Sequence, residues 1–253
     1  ITVDVFPRAK DIAKKFQEKN IPVVAGGIHT TANPEETAKY FDAVSIGIAE
    51  TTWQMIINDF EKGCLKKIYK HNASDITPSQ IVSPAYNLIK EKNYLYCNII
   101  STSRGCPYKC DFCYNSCDAY KKFYINRNIE DVINDIKTVN KKHIMFIDDN
   151  FIGNPKWTML FIKELKYLNV KWNAAVSLNV ADMPELLDEM KAGGCQSLFI
   201  GFESINESSI SNVSKVQNKL EKYNFAVNEI HKRGIMINAS FVFGLDGDDK
   251  SVF

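Results

Sequence analysis

The sequence predicts an α/β protein with two parallel-sheet domains, and three features carry this prediction. First, short apolar stretches alternate with helical patterns along most of the 253 residues. Strands separated by helices pair in parallel through right-handed crossovers. Second, residues 71–96 are rich in Asn, Ser, Thr and Pro and interrupt the alternation, which is typical of a linker. Third, the strand–helix alternation resumes from residue 97 with longer elements.

The first predicted domain covers residues 1–70. One buried strand ends in Gly26 and Gly27, a second ends in Gly47, and an amphipathic helix follows from about Trp53. Glycine at the end of a strand lets the backbone approach a ligand closely. Open parallel sheets bind ligands at this carboxyl edge. The three glycines are therefore candidate cofactor contacts.

The second predicted domain covers residues 97–253 and contains five strand–helix steps. Its strands are predicted at 97–103, 143–148, 171–177, 197–204 and 235–244. Such tandem steps indicate part of a βα barrel, cut before closure. Capping boxes at Asn33–Glu36 and Asp182–Glu185 predict two of the helix starts along the chain.

The composition is that of an ordinary soluble globular protein. Hydrophobic residues make up 45% and charged residues 24%, and the net charge of +1 offers no electrostatic reason to bind nucleic acid. No apolar run approaches the roughly 20 residues of a membrane span. The N-terminus has neither a signal-peptide pattern nor a starting Met, so the chain is expected to be a fragment. Seven cysteines, an odd number, favour a reducing cytoplasm.

Four of these cysteines lie in the stretch RGCPYKCDFCYNSC at residues 104–117, called the cysteine loop below. Cys106, Cys110 and Cys113 form a C-x3-C-x2-C pattern, and Cys117 follows four residues later. A structural zinc site usually uses two separated cysteine pairs. An ordinary iron–sulfur cluster takes four thiolates. Three thiolates would leave an open coordination position, which usually means that a substrate binds there. The residue types favour metal binding or catalysis.

This loop resembles that of the radical S-adenosylmethionine (SAM) superfamily. The resemblance rests on the three-cysteine spacing, on Phe112 just before the last cysteine, and on Arg104-Gly105 ahead of the first. It implies that the three cysteines hold a [4Fe–4S] cluster, that SAM binds the open iron, and that Phe112 is among the cofactor contacts. Cys117 would lie outside the triad.

The resemblance also implies SAM contacts at the ends of later strands. Asp148 or Asp149 would meet the SAM amino group, where the family often has Gly-Gly-Glu; the alternative is that they cap a helix. Glu203 would bind the ribose hydroxyls, since a charged side chain that ends an apolar strand rarely lacks a partner. Ser177 and Asn179 would face the same ligand.

Residues 26–69 resemble the second half of the cobalamin-binding domain that precedes many radical SAM barrels. By this resemblance the fold class is a partial flavodoxin/Rossmann-like cobalamin-binding domain followed by a partial (βα)6-type barrel. Gly26, Gly27 and Gly47 would contact cobalamin. The usual cobalt-ligating motif Asp-x-His-x-x-Gly is absent, so binding by this chain is expected to be weak. The alternative is a vestigial domain that only packs on the barrel.

Together these patterns predict a cytoplasmic iron–sulfur enzyme that cleaves SAM reductively to start radical chemistry on a small-molecule or lipid substrate. Cobalamin-dependent methylation or cyclisation would be the outcome, with an external electron donor such as flavodoxin or ferredoxin. No catalytic residue is assigned beyond the cofactor contacts, and neither nucleic acid nor a membrane span is expected. The alternative function is a non-catalytic iron–sulfur protein that transfers electrons or senses redox state.

Overall fold

The computed structural model describes residues 1–70, 76–119 and 123–252. The chain forms two compact units: Ile1–Val82 with Cys113–Lys121, and Ser83–Phe112 with Lys122–Phe253. The predicted linker, residues 71–96, begins outside the described residues. From residue 76 onward it contains short 3₁₀ turns at Pro78–Gln80, Tyr86–Leu88 and Glu91–Asn93. The predicted domain boundaries stay predictions.

The α-helices of the described residues are α1 (Phe6–Gln17), α2 (Ile28–Ala32), α3 (Pro34–Thr37), α4 (Ala49–Glu61), α5 (Ile129–Val139), α6 (Pro155–Leu165), α7 (Pro184–Ala192), α8 (Glu207–Asn212) and α9 (Tyr223–His231). The strands are β1 (Val24–Ala25), β2 (Ala43–Ile46), β3 (Ile68–Lys70), β4 (Ile99–Ile100), β5 (Ser103–Gly105), β6 (Tyr124–Asn126), β7 (His143–Phe146), β8 (Lys171–Val176), β9 (Cys195–Glu203) and β10 (Met236–Phe241). No helix among these described residues is long and apolar enough to cross a membrane.

The first unit contains a parallel sheet in the order β1-β2-β3. Its core includes Phe6 and Ala13 of α1, with Val44 from the middle strand. The amphipathic pattern predicted from Trp53 is α4, which buries Ile56. Trp53 belongs to the apolar stripe of this helix but is 53% exposed. The buried face of the helix is therefore narrower than its apolar stripe.

The second unit is built on a parallel sheet in the order β10-β9-β8-β7-β4. Strands and helices alternate along the chain, which confirms the predicted α/β fold with parallel strands. The core lies where the sheet meets its helices, and fully buried side chains such as Trp172, Phe161 and Leu187 fill it. Trp172 satisfies its indole N–H by donating to the carbonyl of Gly193 at 2.7 Å.

Two local predictions are wrong. Neither capping box forms: Asn33 makes no side-chain cap, and α7 begins after Met183 rather than Asp182. The Asp182 carboxylate instead accepts hydrogen bonds from Lys222 at 2.8 Å, a contact that tertiary packing supplies. The strand predicted at 97–103 is also interrupted: β4 ends at Ile100, and β5 then pairs antiparallel with β6.

Candidate functional site

The cysteine loop starts from a short antiparallel ladder. Strand β5 pairs with β6, so that Gly105 lies opposite Tyr124. Gly105 has a left-handed φ of 79°, and a Cβ at this position would run into the carbonyl oxygen of Phe123. The residue just before Cys106 must therefore be glycine. Strand β6 was not predicted, because its three residues are too few to show a strand period.

The thiols of the predicted triad differ in burial and have amide donors nearby. All seven cysteines of the chain are described, and none forms a disulfide. Cys110 is buried, and Cys106 and Cys113 are partly buried. Gln217 Nε2 donates to Cys110 Sγ at 3.7 Å, and Asn115 Nδ2 donates to Cys113 Sγ at 3.8 Å. Amide donors directed at sulfur suit thiolates that bind a metal cluster, because they stabilise negative charge on the sulfur.

The cysteine triad itself stays a prediction from the spacing. Within the described ranges, no three His, Cys, Asp or Glu side chains are grouped so that they could hold a metal ion. Cys106 and Cys110 belong to the second compact unit, whereas Cys113 and Cys117 belong to the first. Phe112 is 48% exposed, so packing does not require an aromatic side chain there.

Asp148 lies just after β7 and organises the base of the cysteine loop. Its Oδ1 accepts hydrogen bonds from Thr102 N at 2.9 Å, Thr102 Oγ1 at 3.0 Å and Ser103 Oγ at 2.5 Å. Its Oδ2 is buried and has no hydrogen-bond partner. Burial raises the pKa of the Asp148 carboxyl, although the hydrogen bonds from Ser103 and Thr102 oppose this. Asp149 is exposed.

Helix capping does not explain the Asp148–Asp149 pair. Helix α6 begins at Pro155, and Asn154 caps it by accepting a hydrogen bond from Trp157 N at 3.2 Å. The alternative role considered for the two aspartates is therefore wrong. Asp148 faces the strand that leads into the cysteine loop instead.

Ser177 and Asn179 are brought together with a third polar residue, Asn150. Ser177 Oγ donates to Asn179 Oδ1 at 2.6 Å, and Asn150 Nδ2 donates to Ser177 Oγ at 3.2 Å. Asn150 is buried and was not among the predicted site residues. The available signal was its place after an apolar strand, directly after Asp148 and Asp149.

Glu203 ends β9 in an irregular backbone. Phe241 of β10 lies opposite Glu203 while Ser240 lies opposite Gly201, so the register shifts by one residue at this point. Glu203 has a left-handed φ of 67° although it is not glycine. Such bulges redirect a side chain, and such backbone conformations cost of order 1–3 kcal/mol.

The buried carboxylate of Glu203 forms an ion pair with Lys215, whose side chain is also buried. Lys215 Nζ also donates to the carbonyl of Gly201 at 2.9 Å. Glu203 therefore has a partner within the protein, and its role as a SAM contact stays a prediction. Lys215 itself was missed, because it lies in a polar stretch without hydrophobic periodicity. A Cβ on Gly201 would collide with both charged groups, so glycine leaves room for the pair.

Two cavities adjoin the ion pair. Glu203 lines one of about 220 Å³, and Lys215 lines another of about 460 Å³. The smaller one is otherwise lined by Ser204, Ile205, Phe241, Val242, Phe243 and Val252. Pockets of a few hundred Å³ with one charged group and aromatic walls are typical of small-molecule sites.

The three glycines predicted to contact a cofactor lie at neighbouring strand ends in the first unit. Gly26 and Gly27 follow β1, Gly47 follows β2, and the last two have left-handed φ values of 100° and 87°. Gly47 N donates to Thr31 Oγ1 at 3.1 Å. Close by in sequence, His29 is buried, with its ring 4.0 Å from that of Phe6, and its Nε2 has no hydrogen-bond partner.

The fold and the loop define a class of α/β protein with a thiol-rich loop after the first strand of a parallel sheet. The profile of the Radical SAM superfamily matches residues 100–252, and the chain belongs to this superfamily. Members of the superfamily use a [4Fe–4S] cluster and SAM.

Curated relatives extend the similarity to the first unit. The chain is 31% identical over 242 residues to bacteriochlorophyllide d C-12(1)-methyltransferase of Chlorobaculum tepidum, a match that covers 91% of the chain and 52% of the relative. It is 26% identical to the hopanoid C-2 methylase of Rhodopseudomonas palustris, covering 94% and 47%. The chain thus spans about half the length of these relatives.

Solved structures share the fold at lower identity. The radical SAM methyltransferase TsrM from Kitasatospora setae superimposes with a TM-score of 0.77 at 16% identity, covering 98% of the chain and 55% of TsrM. The cobalamin-dependent SAM radical enzyme OxsB gives a TM-score of 0.74 at 18% identity, covering 94% and 39%.

Proposed function

We propose that the protein is an enzyme that cleaves SAM reductively and uses the resulting radical chemistry on an organic substrate, with cobalamin-dependent methylation or cyclisation as the outcome. The C-x3-C-x2-C loop within the matched superfamily region is the observation that carries the proposal. Curated relatives named as methyltransferases and as a magnesium-protoporphyrin ester cyclase support both outcomes.

Cys106, Cys110 and Cys113 would hold the cluster. When bound there, the cluster would supply one electron to the SAM sulfonium, the electron coming from the external donor, and so start the radical reaction. The chain's own contribution at this loop is orientation: Gly105 permits the tight approach to β6, and Asp148 gathers the donors of Thr102 and Ser103. The cysteine loop follows β4 along the chain, and barrel active sites lie at the carboxyl ends of the strands.

Glu203 would bind SAM through the ribose hydroxyls. Lys215 pairs with the buried carboxylate at this strand end, and the irregular backbone directs that carboxylate beside the 220 Å³ cavity. Strained backbone persists where the surrounding structure imposes it, and it clusters at ligand sites. Asp148 or Asp149, Ser177, Asn179 and Phe112 complete the proposed set of SAM contacts.

The first unit would contribute to cobalamin binding through Gly26, Gly27 and Gly47. The support is physical: two adjacent parallel strands end in left-handed glycines, and His29 Nε2 and Thr30 Oγ1 are buried there without hydrogen-bond partners. Buried polar atoms of this kind indicate a ligand or water. When bound, cobalamin supplies methyl transfer; we expect weak retention by this chain.

The substrate would be a small molecule or lipid, the electron donor a flavodoxin or ferredoxin, and the location the cytoplasm. The rival function is electron transfer or redox sensing. Electron carriers use fully ligated, shielded clusters. A three-cysteine loop and a buried carboxylate beside a cavity favour a bound substrate instead.

The first test concerns the cluster. Single Cys→Ala variants at positions 106, 110 and 113 should lose iron and sulfide after anaerobic reconstitution, whereas Cys117→Ala, the matched control on the same loop, should retain them. Cluster loss in the control alone would contradict the proposed triad.

The second test concerns SAM. Adding SAM should alter the electron paramagnetic resonance (EPR) signal of the reduced cluster. Glu203→Gln should keep the iron but weaken SAM binding by about 1.5–3 kcal/mol, the value of a hydrogen bond to a charged group. The exposed Glu185→Gln is the matched control. Formation of 5′-deoxyadenosine with S-adenosylhomocysteine would indicate radical methylation. An EPR signal that ignores SAM, with neither product formed, would favour the electron carrier.

A further inference from the structure

A short segment after α8, residues Val213–Asn218, contacts the cysteine loop at three points. Asp111 N donates to the carbonyl of Val213 at 3.1 Å, and Ser214 Oγ donates to Asp111 Oδ2 at 2.7 Å. Gln217 Nε2 donates to Cys110 Sγ at 3.7 Å. The segment therefore lies against the part of the loop that carries one predicted cluster ligand.

The same segment also forms hydrogen bonds and an ion pair with the end of β9. Asn218 Nδ2 donates to the carbonyls of Gly201 at 2.9 Å and Phe202 at 3.0 Å, and Lys215 pairs with Glu203. Lys215 and Asn218 are buried, so these contacts are shielded from water. One six-residue stretch thus joins the cysteine loop to the strand end that carries the proposed SAM contact.

Among the described contacts, the side-chain amide of Gln217 forms its hydrogen bond through Nε2, which donates to Cys110 Sγ. The amide oxygen, Oε1, is buried and has no hydrogen-bond partner. The oxygen therefore does not fix the orientation of the amide. A neutral thiol is a weak acceptor, whereas hydrogen bonds to an ionised acceptor are about twice as strong as neutral ones. The contact to Cys110 therefore gains most of its strength when the sulfur is a metal-bound thiolate.

Hydrogen bonds to the sulfurs are one of the factors that set the potential of an iron–sulfur cluster. A donor stabilises the more negative, reduced form more than the oxidised form, so it raises the reduction potential. Residues behind the ligands tune metal sites in this way and orient the ligands as well.

We propose that Gln217 is a positioning residue for the cluster: it orients the Cys110 ligand and raises the cluster's reduction potential, while Val213 and Ser214 hold the adjacent loop residue Asp111. This inference rests on the proposed function, because it requires a cluster on the cysteine triad.

The test is an anaerobic redox titration of the reconstituted protein with dithionite as the electron source, followed by EPR of the one-electron-reduced cluster. Gln217→Met removes the N–H donor at similar side-chain length, and Gln217→Glu replaces it with an acceptor. Gln196→Met is the matched control, because the Gln196 amide bonds only the local carbonyls of Gly194 and Cys195 among the contacts described. Both Gln217 variants should shift the midpoint potential to more negative values, Glu further than Met, while the control should match the wild type.

Full iron content with an unshifted potential in both Gln217 variants would overturn the inference and leave the proposed function intact. Iron loss in a Gln217 variant with an unchanged circular dichroism spectrum, while Gln196→Met loads normally, would support the orienting role. A wild-type protein that takes up no cluster would overturn the inference and the proposed function together. SAM-induced change of the EPR signal, recorded on the same samples, reports the proposed function independently of the potential.

Discussion

Two buried carboxyl groups lie at the carboxyl edge of the larger sheet, and the protein accommodates them differently. Asp148, after β7, is surrounded by neutral donors from Thr102 and Ser103, and its pKa is raised by burial. Glu203, at the end of β9, faces the ammonium group of Lys215. A buried carboxyl must be either protonated or paired, because an isolated buried charge is strongly unfavourable.

The difference separates the roles of the two residues. Asp148 links the strand end after β7 to the base of the cysteine loop through its hydrogen bonds from Thr102 and Ser103. A carboxylate paired with an ammonium group can still accept a hydrogen bond from a ligand, and Glu203 lies beside a cavity. Residues of the same chemical type at equivalent strand ends are therefore accommodated in different ways, one by neutral donors and the other by a counter-ion.

The largest effect is expected from breaking the charged pair. Lys215→Met should lower the free energy of unfolding by roughly 3–5 kcal/mol, because it leaves the Glu203 carboxylate buried without its counter-ion. Urea unfolding followed by circular dichroism measures this change. The double variant Glu203→Gln/Lys215→Met should recover most of the loss.

Lys222→Met is the matched control for that experiment. Lys222 pairs with Asp182 in solvent, with both side chains 42% exposed. Such surface pairs contribute about 0–1 kcal/mol. Equal losses of unfolding free energy in Lys215→Met and Lys222→Met would contradict this expectation. They would show that the buried Glu203–Lys215 pair contributes no more to stability than a surface pair.

A smaller, pH-dependent effect is expected at Asp148. Its folded-state pKa lies above the ordinary value of 3.8, so its contribution to stability is fully present below that value and is lost as pH rises through the raised pKa. The loss is at most about 1.4 kcal/mol per pH unit for one group. Asp148→Asn should remove this dependence, so its stability relative to wild type should increase from acidic to neutral pH in urea unfolding. Parallel pH profiles for the two proteins would contradict the raised pKa.

The smallest effect on stability is expected at Asp188, and its pH dependence has the opposite sign to that of Asp148. A hydrogen bond from Arg233 lowers the pKa of this exposed carboxyl, and the charge of Arg233 adds to the effect. Its contribution to stability is therefore present above the ordinary pKa and is lost as pH falls through the lowered value. Asp188→Asn should slightly destabilise the protein at neutral pH, and added salt should shrink the difference. A loss that salt does not reduce would indicate a contribution from packing rather than charge.

Patterns within short stretches of sequence predicted the features that are set by residues close together in the chain. Alternating apolar and helical stretches indicated the parallel sheets, and the cysteine spacing indicated the superfamily that the profile match establishes. The local rule failed at the capping boxes: Asp182 has the right spacing to Glu185, yet its carboxylate pairs with Lys222, forty positions away in sequence.

The sequence by itself determined the α/β alternation, the thiol-rich loop and the need of Glu203 for a partner, because periodicity, spacing and the cost of burying charge act through residue type and order. Only the tertiary structure decided the partners. Asp148 meets Thr102 across 46 positions, and Ser214 meets Asp111 across 103. Such contacts depend on the packing of elements that are distant in sequence, and no periodicity within a single element encodes them.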